Sequence, residues 1–196
     1  MSDQQKGFLI MNPNQGNPDH GTEPEPRTVF VESSPYALFG RELASGDAMP
    51  DFALWQYSDG MANLINREQA LGYQMPVLFC CLHSVDTRVG NIQARKFEQL
   101  LMRFDRQVAA FLVSSDLPFT QNRYSEREML SFLSVASDYR GEFGKPFGIY
   151  IPQLMFLARS VFIADPSGII QHVDIVTEFT HEPEYEAAID VLAEML

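Results

Sequence analysis

The run "PVLFCCL" (76–82) constrains the fold most, because it is apolar at every position. A strand with one solvated face alternates apolar and polar residues, whereas a strand buried on both faces is continuously apolar. "VAAFLVSSD" (108–116) and "ARSVFIAD" (158–165) share this character. The three runs predict central strands of one sheet, covered by other elements on both faces.

Three amphipathic segments supply the predicted helices. The first follows "PVLFCCL" and places apolar residues at helical spacing on one face: Phe97, Leu100, Leu101, Phe104 and Val108. The second is predicted at "EREMLSFLSVAS" (126–137), and the third at "EPEYEAAIDVLAEML" (182–196). In the third, one apolar face is formed by Tyr185, Ala188, Ile189, Leu192 and Leu196. Alternation of strands with helices predicts an α/β fold with a mixed central sheet.

Shorter strands are predicted near both ends of the chain. "TVFVE" (28–32) and "YALFG" (36–40) form an N-terminal β-hairpin around "SSP", and "MPDFALWQYSDGM" (49–61) is an alternating strand that ends in a turn at Asp59 and Gly60. "DPSG" (165–168) is a hairpin turn that leads into the strand "IIQHVDIVTEF".

Composition and net charge indicate how the chain divides into domains and which classes of partner it lacks a basis to bind. Residues 1–27, rich in Pro, Gly, Asn and acids, are predicted to be a flexible N-terminal tail, and 28–196 a single domain. A net charge of −12 gives no electrostatic basis for general binding to nucleic acid or an anionic membrane. No run has the length of a membrane span, and "GFLIM" (7–11) is too short for the core of a signal peptide.

Cys80 and Cys81 are the only cysteines. Neighbouring cysteines rarely bridge each other, so we expect no disulfide framework and a cytoplasmic location. Successive strand side chains point to opposite faces, and both thiols are therefore expected to be buried. His172 and His181 are isolated, and neither a metal site nor a phosphate-binding glycine loop is predicted, so we expect no cofactor.

Several stretches together carry a family resemblance. They are "GDAMPDFAL" (46–54), "SVDTRVGNIQARKF" (84–97), "SSDLPFTQNRYS" (114–125), and "LARSVFIADPSG" (157–168) followed by "EPEYEAAIDVL" (182–192). In order and spacing the chain resembles a thiol peroxidase of the atypical two-cysteine peroxiredoxin family. The resemblance implies a thioredoxin-like fold from about residue 28 to the C-terminus, with a mixed central sheet flanked by helices.

The resemblance also implies an active site, from which this sequence departs. The family uses a Pro-x-x-x-Thr-x-x-Cys run and a distant arginine, and a second cysteine resolves the oxidised thiol. Thr87 stands at the threonine position and Arg159 at the arginine position, whereas His83 replaces the proline. Gly90 replaces the peroxidatic cysteine and Ser125 the resolving cysteine. Both sulfurs of the family's cycle are therefore absent from these positions.

Three functions follow from this pattern. The first is a catalytically silent binding or regulatory homologue, and the alternative is a thiol-dependent peroxidase or oxidoreductase acting through Cys80 or Cys81. The third is a module that binds a small anion or carboxylate through Thr87, Gly90 and Arg159. Whether the protein is an enzyme stays open on the sequence. We expect a homodimer, with a thioredoxin-type or paralogous protein as a further partner.

Individual site residues also have structural interpretations. Thr87 can cap the helix that begins near Arg88. We favour a solvent-facing loop for His83 over an acid–base or ligand role. Arg159 lies beside a buried strand and needs a partner, for which there are three candidates: Asp86, Asp116 and Glu128. Gly90 falls in the first helical turn, where a cysteine should not strain the backbone if the residue has helical angles.

Overall fold

The computed structural model describes residues 27–58 and 60–196. In chain order the strands are β1 (Thr28–Val31), β2 (Ser34–Ala37), β3 (Ala53–Ser58), β4 (Met61–Asn66), β5 (Val77–Cys81), β6 (Ala109–Ser114), β7 (Ser134–Ser137), β8 (Tyr150–Ile151), β9 (Phe156–Leu157), β10 (Ser160–Ala164) and β11 (Ile170–Ile175). The helices are α1 (Arg67–Leu71), α2 (Arg88–Leu101), α3 (Pro118–Glu128) and α4 (Tyr185–Glu194).

Seven strands form one mixed sheet in the order β11-β10-β5-β6-β7-β3-β4. Strands β5, β6 and β7 are parallel neighbours, whereas β10 and β11 on one side and β3 and β4 on the other pair antiparallel. Every residue of β5 and β10 is buried. The continuous apolar runs therefore mark the centre of the sheet, and the predicted α/β fold with a mixed sheet is confirmed.

The two faces of the sheet bury separate apolar layers. Cys81 belongs to a layer that contains several phenylalanines and Ala70 of α1. Cys80 belongs to the opposite layer, into which α2, α3 and α4 bury side chains such as Phe97, Tyr124 and Ile189. The prediction that the adjacent cysteines are buried on opposite faces is confirmed.

The helix predicted after β5 is confirmed, and its stripe faces the sheet. Phe97 and Leu101 are buried, and Leu100 packs partly against the same layer. Phe104 and Val108 were wrongly placed on the helix: α2 ends at Leu101, Phe104 closes a 3-10 turn at Met102–Phe104, and Val108 lies beyond that turn, although both side chains pack against the layer. The C-terminal helix is also confirmed, with a buried face formed by Ala188, Ile189 and Leu192. Leu196 was wrongly placed on that face: it lies beyond the end of α4 and is 51% exposed.

The helix predicted at 126–137 is wrong. Helix α3 begins at Pro118, whose fixed φ suits the first turn, and ends where Met129 adopts a left-handed conformation with φ of 55°. Ser134–Ser137 instead forms β7, which pairs in parallel with β6. Pairing with a buried neighbouring strand decided the conformation of this segment. Helix α1 and strands β4, β8 and β9 were not predicted.

The N-terminal hairpin is confirmed as an antiparallel pair of β1 and β2. Glu32 and Ser33 form its turn with positive φ values of 50° and 67°. The predicted turn at 33–35 is wrong, because Ser34 and Pro35 already belong to β2 and pair with β1. The predicted tail lies outside the described residues except for Arg27, whose guanidinium donates to the carbonyl oxygens of Gly40 at 2.9 Å and Gly148 at 2.8 Å. Among the described helices, none combines the length and apolar character that a membrane span requires.

Candidate active site

A loop between β5 and α2 lies at the carboxyl ends of the parallel strands, the edge where α/β proteins commonly bind ligands. Asp116, which follows β6, fixes this loop. Its carboxylate accepts hydrogen bonds from Ser84 Oγ at 2.8 Å, the Val85 N–H at 2.8 Å and Ser114 Oγ at 2.7 Å. The loop is thereby tied to the neighbouring strand and presents His83 and Thr87 in defined positions.

Thr87 is the N-cap of α2, as predicted. Its Oγ1 accepts a hydrogen bond from the Gly90 N–H at 3.2 Å and donates one to the Ser84 carbonyl oxygen at 2.9 Å. The hydroxyl proton is thus used within the loop, and so is the Gly90 N–H. The predicted anion-binding set of Thr87, Gly90 and Arg159 stays a prediction, with two of its donors already engaged.

Gly90 is buried, and neighbouring atoms of the loop pack closely against its Cα. A Cβ added there would approach the Ser84 carbonyl oxygen to under 3.0 Å and Thr87 Oγ1 to 2.7 Å. The expectation that a cysteine fits without strain is therefore wrong, because a backbone carbonyl occupies the space of its first side-chain atom. The geometry suits glycine.

Arg159 is fully buried and forms no salt bridge among the described residues, although the Glu182 carboxylate acts on its charge electrostatically. Its guanidinium donates to Gln93 Oε1 at 2.5 Å and to the Phe179 carbonyl oxygen at 3.2 Å, and its Nε has no partner. Burial lowers the pKa of Arg159. The expected ion pair is wrong: Asp116 is engaged with the loop, and Glu128 pairs with arginines on the surface.

His83 is half-buried, so the solvent-facing loop interpretation is wrong. Its ring stacks on Phe179 with 4.4 Å between ring centroids, and its Nδ1 is buried without a hydrogen-bond partner. Burial and the neighbouring positive charge of Arg159 lower the pKa of His83 to about 4. The imidazole is therefore neutral near pH 7.

A pocket of about 190 Å³ brings several of the predicted site residues together. It is lined by Val31, Glu32, His83, Thr87, Arg88, Val89, Arg159, Phe179 and Thr180. Gly90 lies behind the lining and Ser125 lies on α3, so neither faces this space. The structure thus unites three of the five family positions.

The two positions at which the resemblance implies cysteines are connected indirectly. The Asn91 side chain donates a hydrogen bond to the Tyr124 hydroxyl at 3.1 Å, which joins the first turn of α2 to α3. Gly90 and Ser125 are the chain neighbours of these two residues. The two helices are therefore joined here by a hydrogen bond that involves no sulfur.

Gln93 is a site residue that sequence reasoning missed. Its Oε1 accepts from Arg159, and its Nε2 donates to Cys80 Sγ at 3.2 Å and to the Cys81 carbonyl oxygen at 3.3 Å. A glutamine one turn before Phe97, on the apolar stripe of α2, was the available signal.

Neither cysteine is a ready nucleophile in this arrangement. Both thiols are fully buried and free of disulfides. Burial raises the pKa of Cys80 to about 12 and that of Cys81 well above its ordinary value. Within the described residues, no group of three or more His, Cys, Asp or Glu side chains could hold a metal ion.

The site and the fold together define the class of protein. Solved structures with the same fold include a peroxiredoxin-like protein from Aquifex aeolicus, with a TM-score of 0.77 and 31% sequence identity over 87% of this chain and 98% of that one. A thiol peroxidase from Chromobacterium violaceum matches with a TM-score of 0.73 over 85% of this chain and 95% of that one. At 19% identity, the second match supports the fold alone. The fold is therefore that of a peroxiredoxin, as the resemblance implied.

The family follows from the sequence comparisons. The sequence model of the AhpC/TSA family matches residues 45–173. The thiol peroxidase of Bacillus subtilis is 32% identical over 164 residues, which cover 83% of this chain and 94% of that protein. The thiol peroxidase of Aquifex aeolicus is 30% identical over 173 residues, or 87% of this chain and 99% of that protein. This chain belongs to the AhpC/TSA family.

Proposed function

We propose that this protein is a binding or regulatory member of its family that does not reduce peroxides through the family's cysteine cycle. The observation that carries the proposal is the buried Gly90, packed against the Ser84 carbonyl oxygen at the position where the family resemblance implies an attacking thiolate. Ser125 in place of the second cysteine supports it independently. Peroxide reduction by this route needs a thiolate, and neither residue supplies one.

A second candidate is an oxidoreductase that acts through Cys80. It is favoured by one observation: Cys80 accepts a hydrogen bond from Gln93, and Arg159 favours its thiolate electrostatically. Against it stands burial, which outweighs both effects and raises the pKa of this thiol. Cys81 is also buried, and no charge neighbouring it lowers its pKa. We therefore place this function second.

We infer a homodimer that works in the cytoplasm, with residues 28–196 as its folded domain and a thioredoxin-type or paralogous protein as a further partner. The exposed apolar side chains Leu117 and Phe119 at the start of α3 support self-association, because large exposed apolar groups that lie together commonly mark contact surfaces. Two free cysteines are in keeping with a reducing compartment.

A peroxide consumption assay with a thioredoxin-type reductant tests the proposal. We expect the wild-type protein to consume hydrogen peroxide and cumene hydroperoxide no faster than the Cys80→Ser, Cys81→Ser double variant. Turnover that survives in Cys81→Ser but disappears in Cys80→Ser would contradict the proposal and establish the second candidate. Retained near-UV circular dichroism in each variant is the control for folding.

A further inference from the structure

Another pocket lies at the opposite edge of the sheet from His83 and Thr87. Its lining includes Ala109 and Ser134, the first residues of the parallel strands β6 and β7, whereas the loop that carries His83 follows the carboxyl end of β5. The loop before β5 and the segment after α2 complete the lining. We call this space of about 190 Å³ the amino-end pocket, and none of the positions that the family resemblance implies belongs to it.

Arg106 supplies a positive charge to the amino-end pocket. It lies in a turn after α2 in which Asp105 and Arg106 both have left-handed backbone, with φ values of 44° and 65°. Such backbone is unfavourable for an arginine, and outliers of this kind concentrate at binding sites. The guanidinium lies over the Phe132 ring, with 5.2 Å from Cζ to the ring centroid. One face of the guanidinium thus packs on the ring, while its in-plane N–H groups can donate.

The charge of Arg106 is not used by an acid of the protein. No carboxylate of the described residues forms a salt bridge with it, its exposed chain neighbour Asp105 included. The Glu98 carboxylate, on the last turn of α2, instead accepts hydrogen bonds from the N–H groups of residues 131–133, at 2.6 to 3.1 Å. The guanidinium can therefore pair with an anionic ligand.

The remaining walls of the amino-end pocket are mainly aromatic and aliphatic. The half-exposed Tyr73 ring and the buried Phe111 ring lie 6.5 Å apart, centroid to centroid, at an angle of 52°. Met75 and Leu101 line the same space. Its volume of about 190 Å³ exceeds the roughly 150 Å³ of an apolar protein cavity that holds benzene. The pocket therefore has room for one aromatic ring beside the guanidinium.

We propose that the amino-end pocket binds a small aromatic monocarboxylate, whose ring contacts Tyr73 and Phe111 and whose carboxylate bonds to Arg106 and the Ser134 hydroxyl. A planar guanidinium matches the two oxygens of a carboxylate. Inorganic phosphate fits less well, because it leaves the rings without contact and its higher charge is repelled more strongly by a protein of net charge −12. The inference goes beyond the proposed function and does not rest on it, because this pocket and the one beside His83 share no lining residue.

Calorimetric titration of the full-length protein with sodium phenylacetate tests this inference. Phenylacetamide is the neutral isostere, and inorganic phosphate is the polar anion. We expect phenylacetate to bind at least about tenfold more tightly than either, as a hydrogen bond to a charged group implies. Arg106→Gln should remove this preference. Arg103→Gln, at an exposed arginine outside the pocket, is the matched control and should leave the preference unchanged.

The aromatic wall is tested by a second pair of variants. Tyr73→Leu should weaken the binding of phenylacetate and phenylacetamide alike, by roughly threefold or more. Tyr139→Leu, at a partly exposed tyrosine outside the pocket, is the control and should leave both affinities unchanged.

Intermolecular nuclear Overhauser effects locate the ligand. Those from the phenylacetate ring should reach the rings of Tyr73 and Phe111 and not the ring of His83. Overhauser effects that reach His83, or a preference for phenylacetate that survives in Arg106→Gln, would overturn the inference. So would phenylacetamide or phosphate binding as tightly as phenylacetate, or no binding of phenylacetate to the wild type.

Discussion

Gly90 shows how a single residue changes the geometry around it. The Ser84 carbonyl oxygen lies where a side chain at position 90 would begin, and Thr87 uses the Gly90 N–H for its cap. A side chain at this position must therefore displace backbone. Restoring the family's cysteine would not by itself restore the family's site.

Gly90→Ala should consequently destabilise the protein. Alanine gains up to about 1 kcal/mol in helix propensity, whereas overpacking a buried site costs roughly 1–3 kcal/mol. We expect a net loss of about 1 kcal/mol in the free energy of unfolding, measured by urea titration. Ser125→Ala, on the half-buried part of α3, is the control and should change stability by less than about 0.5 kcal/mol. A gain in stability for Gly90→Ala would show that the loop moves away at little cost.

Two titratable groups whose pKa values are shifted by burial have opposite effects on the pH dependence of stability. Burial lowers the pKa of His83 to about 4, so its contribution is present above pH 6.5 and is lost as pH falls towards 4. Asp138 is buried and accepts hydrogen bonds from the Phe143 and Gly144 N–H groups, both at 2.8 Å. Burial outweighs these bonds and raises its pKa to about 6, so its contribution is present below pH 3.8 and is lost as pH rises through 6.

Replacing either residue should remove its own pH-dependent contribution to stability and leave that of the other. As pH falls from 6.5 to 4, the free energy of unfolding of His83→Phe should rise relative to wild type by about 2 kcal/mol. Over the same range, the free energy of unfolding of Asp138→Asn should fall relative to wild type by about 2 kcal/mol. Urea unfolding at several pH values measures both slopes. His181→Phe is the control for the first variant and should parallel the wild type. Slopes of the same sign for the two variants would contradict the assigned pKa directions.

At the scale of single elements, α2 depends on one cap. Thr87 Oγ1 bonds the Gly90 N–H, and the helix has no acidic residue in its first turn to assist it. The cap was predictable because threonine before an amphipathic stripe is a common helix start. Its second bond, to the Ser84 carbonyl oxygen, depends on a loop conformation that sequence patterns do not specify.

Thr87→Ala should therefore cost about 1–2 kcal/mol of unfolding free energy, since it removes the cap and the bond to Ser84. Thr87→Ser keeps the hydroxyl and is the matched control, with an expected loss of less than about 0.5 kcal/mol. Chemical denaturation of both variants measures the difference. Equal losses in the two variants would assign the effect to the lost methyl group and not to the cap.

Elements with a clear apolar pattern in their own sequence were predictable. Elements whose conformation depends on pairing with another strand were not. The apolar runs of β5, β6 and β10 and the stripe of α2 carried their own signal. The segment at 126–137 kept a helix-like spacing of apolar residues, but Met129 ends α3 and Ser134–Ser137 completes the sheet beside β6. Pro118 was the local signal that marked the true start of α3.

At the scale of the whole molecule, the site is assembled from distant segments. His83 follows β5, Arg159 precedes β10 and Phe179 follows β11, yet the three are in direct or stacking contact around one pocket. The family motif located the first two residues. The bond from Arg159 to the Phe179 carbonyl oxygen and the stacking of His83 could not be predicted, because both depend on the packing of the segment after β11.

The proposed self-association also belongs to the scale of the whole molecule. Leu117 and Phe119 are 53% and 56% exposed, and Phe119 packs on Tyr57 with 4.7 Å between ring centroids. We expect sedimentation velocity to show a dimer for the wild type and a monomer for Phe119→Asp, because a buried unpaired carboxylate opposes an apolar interface. Met155→Asp, at a residue 73% exposed elsewhere, is the control and should stay dimeric. A monomeric wild type or a dimeric Phe119→Asp would contradict the predicted interface.

Cys80 and Cys81 lie side by side in the chain but in different apolar layers of the molecule. A thiol that is fully buried reacts with an alkylating reagent only while its surroundings are transiently open. The pair is thus a natural set of two reporters, one for each side of the sheet. In single-cysteine variants, the labelling rate of each thiol measures how often its own apolar layer opens. A difference between the two rates shows which side of the sheet opens more readily.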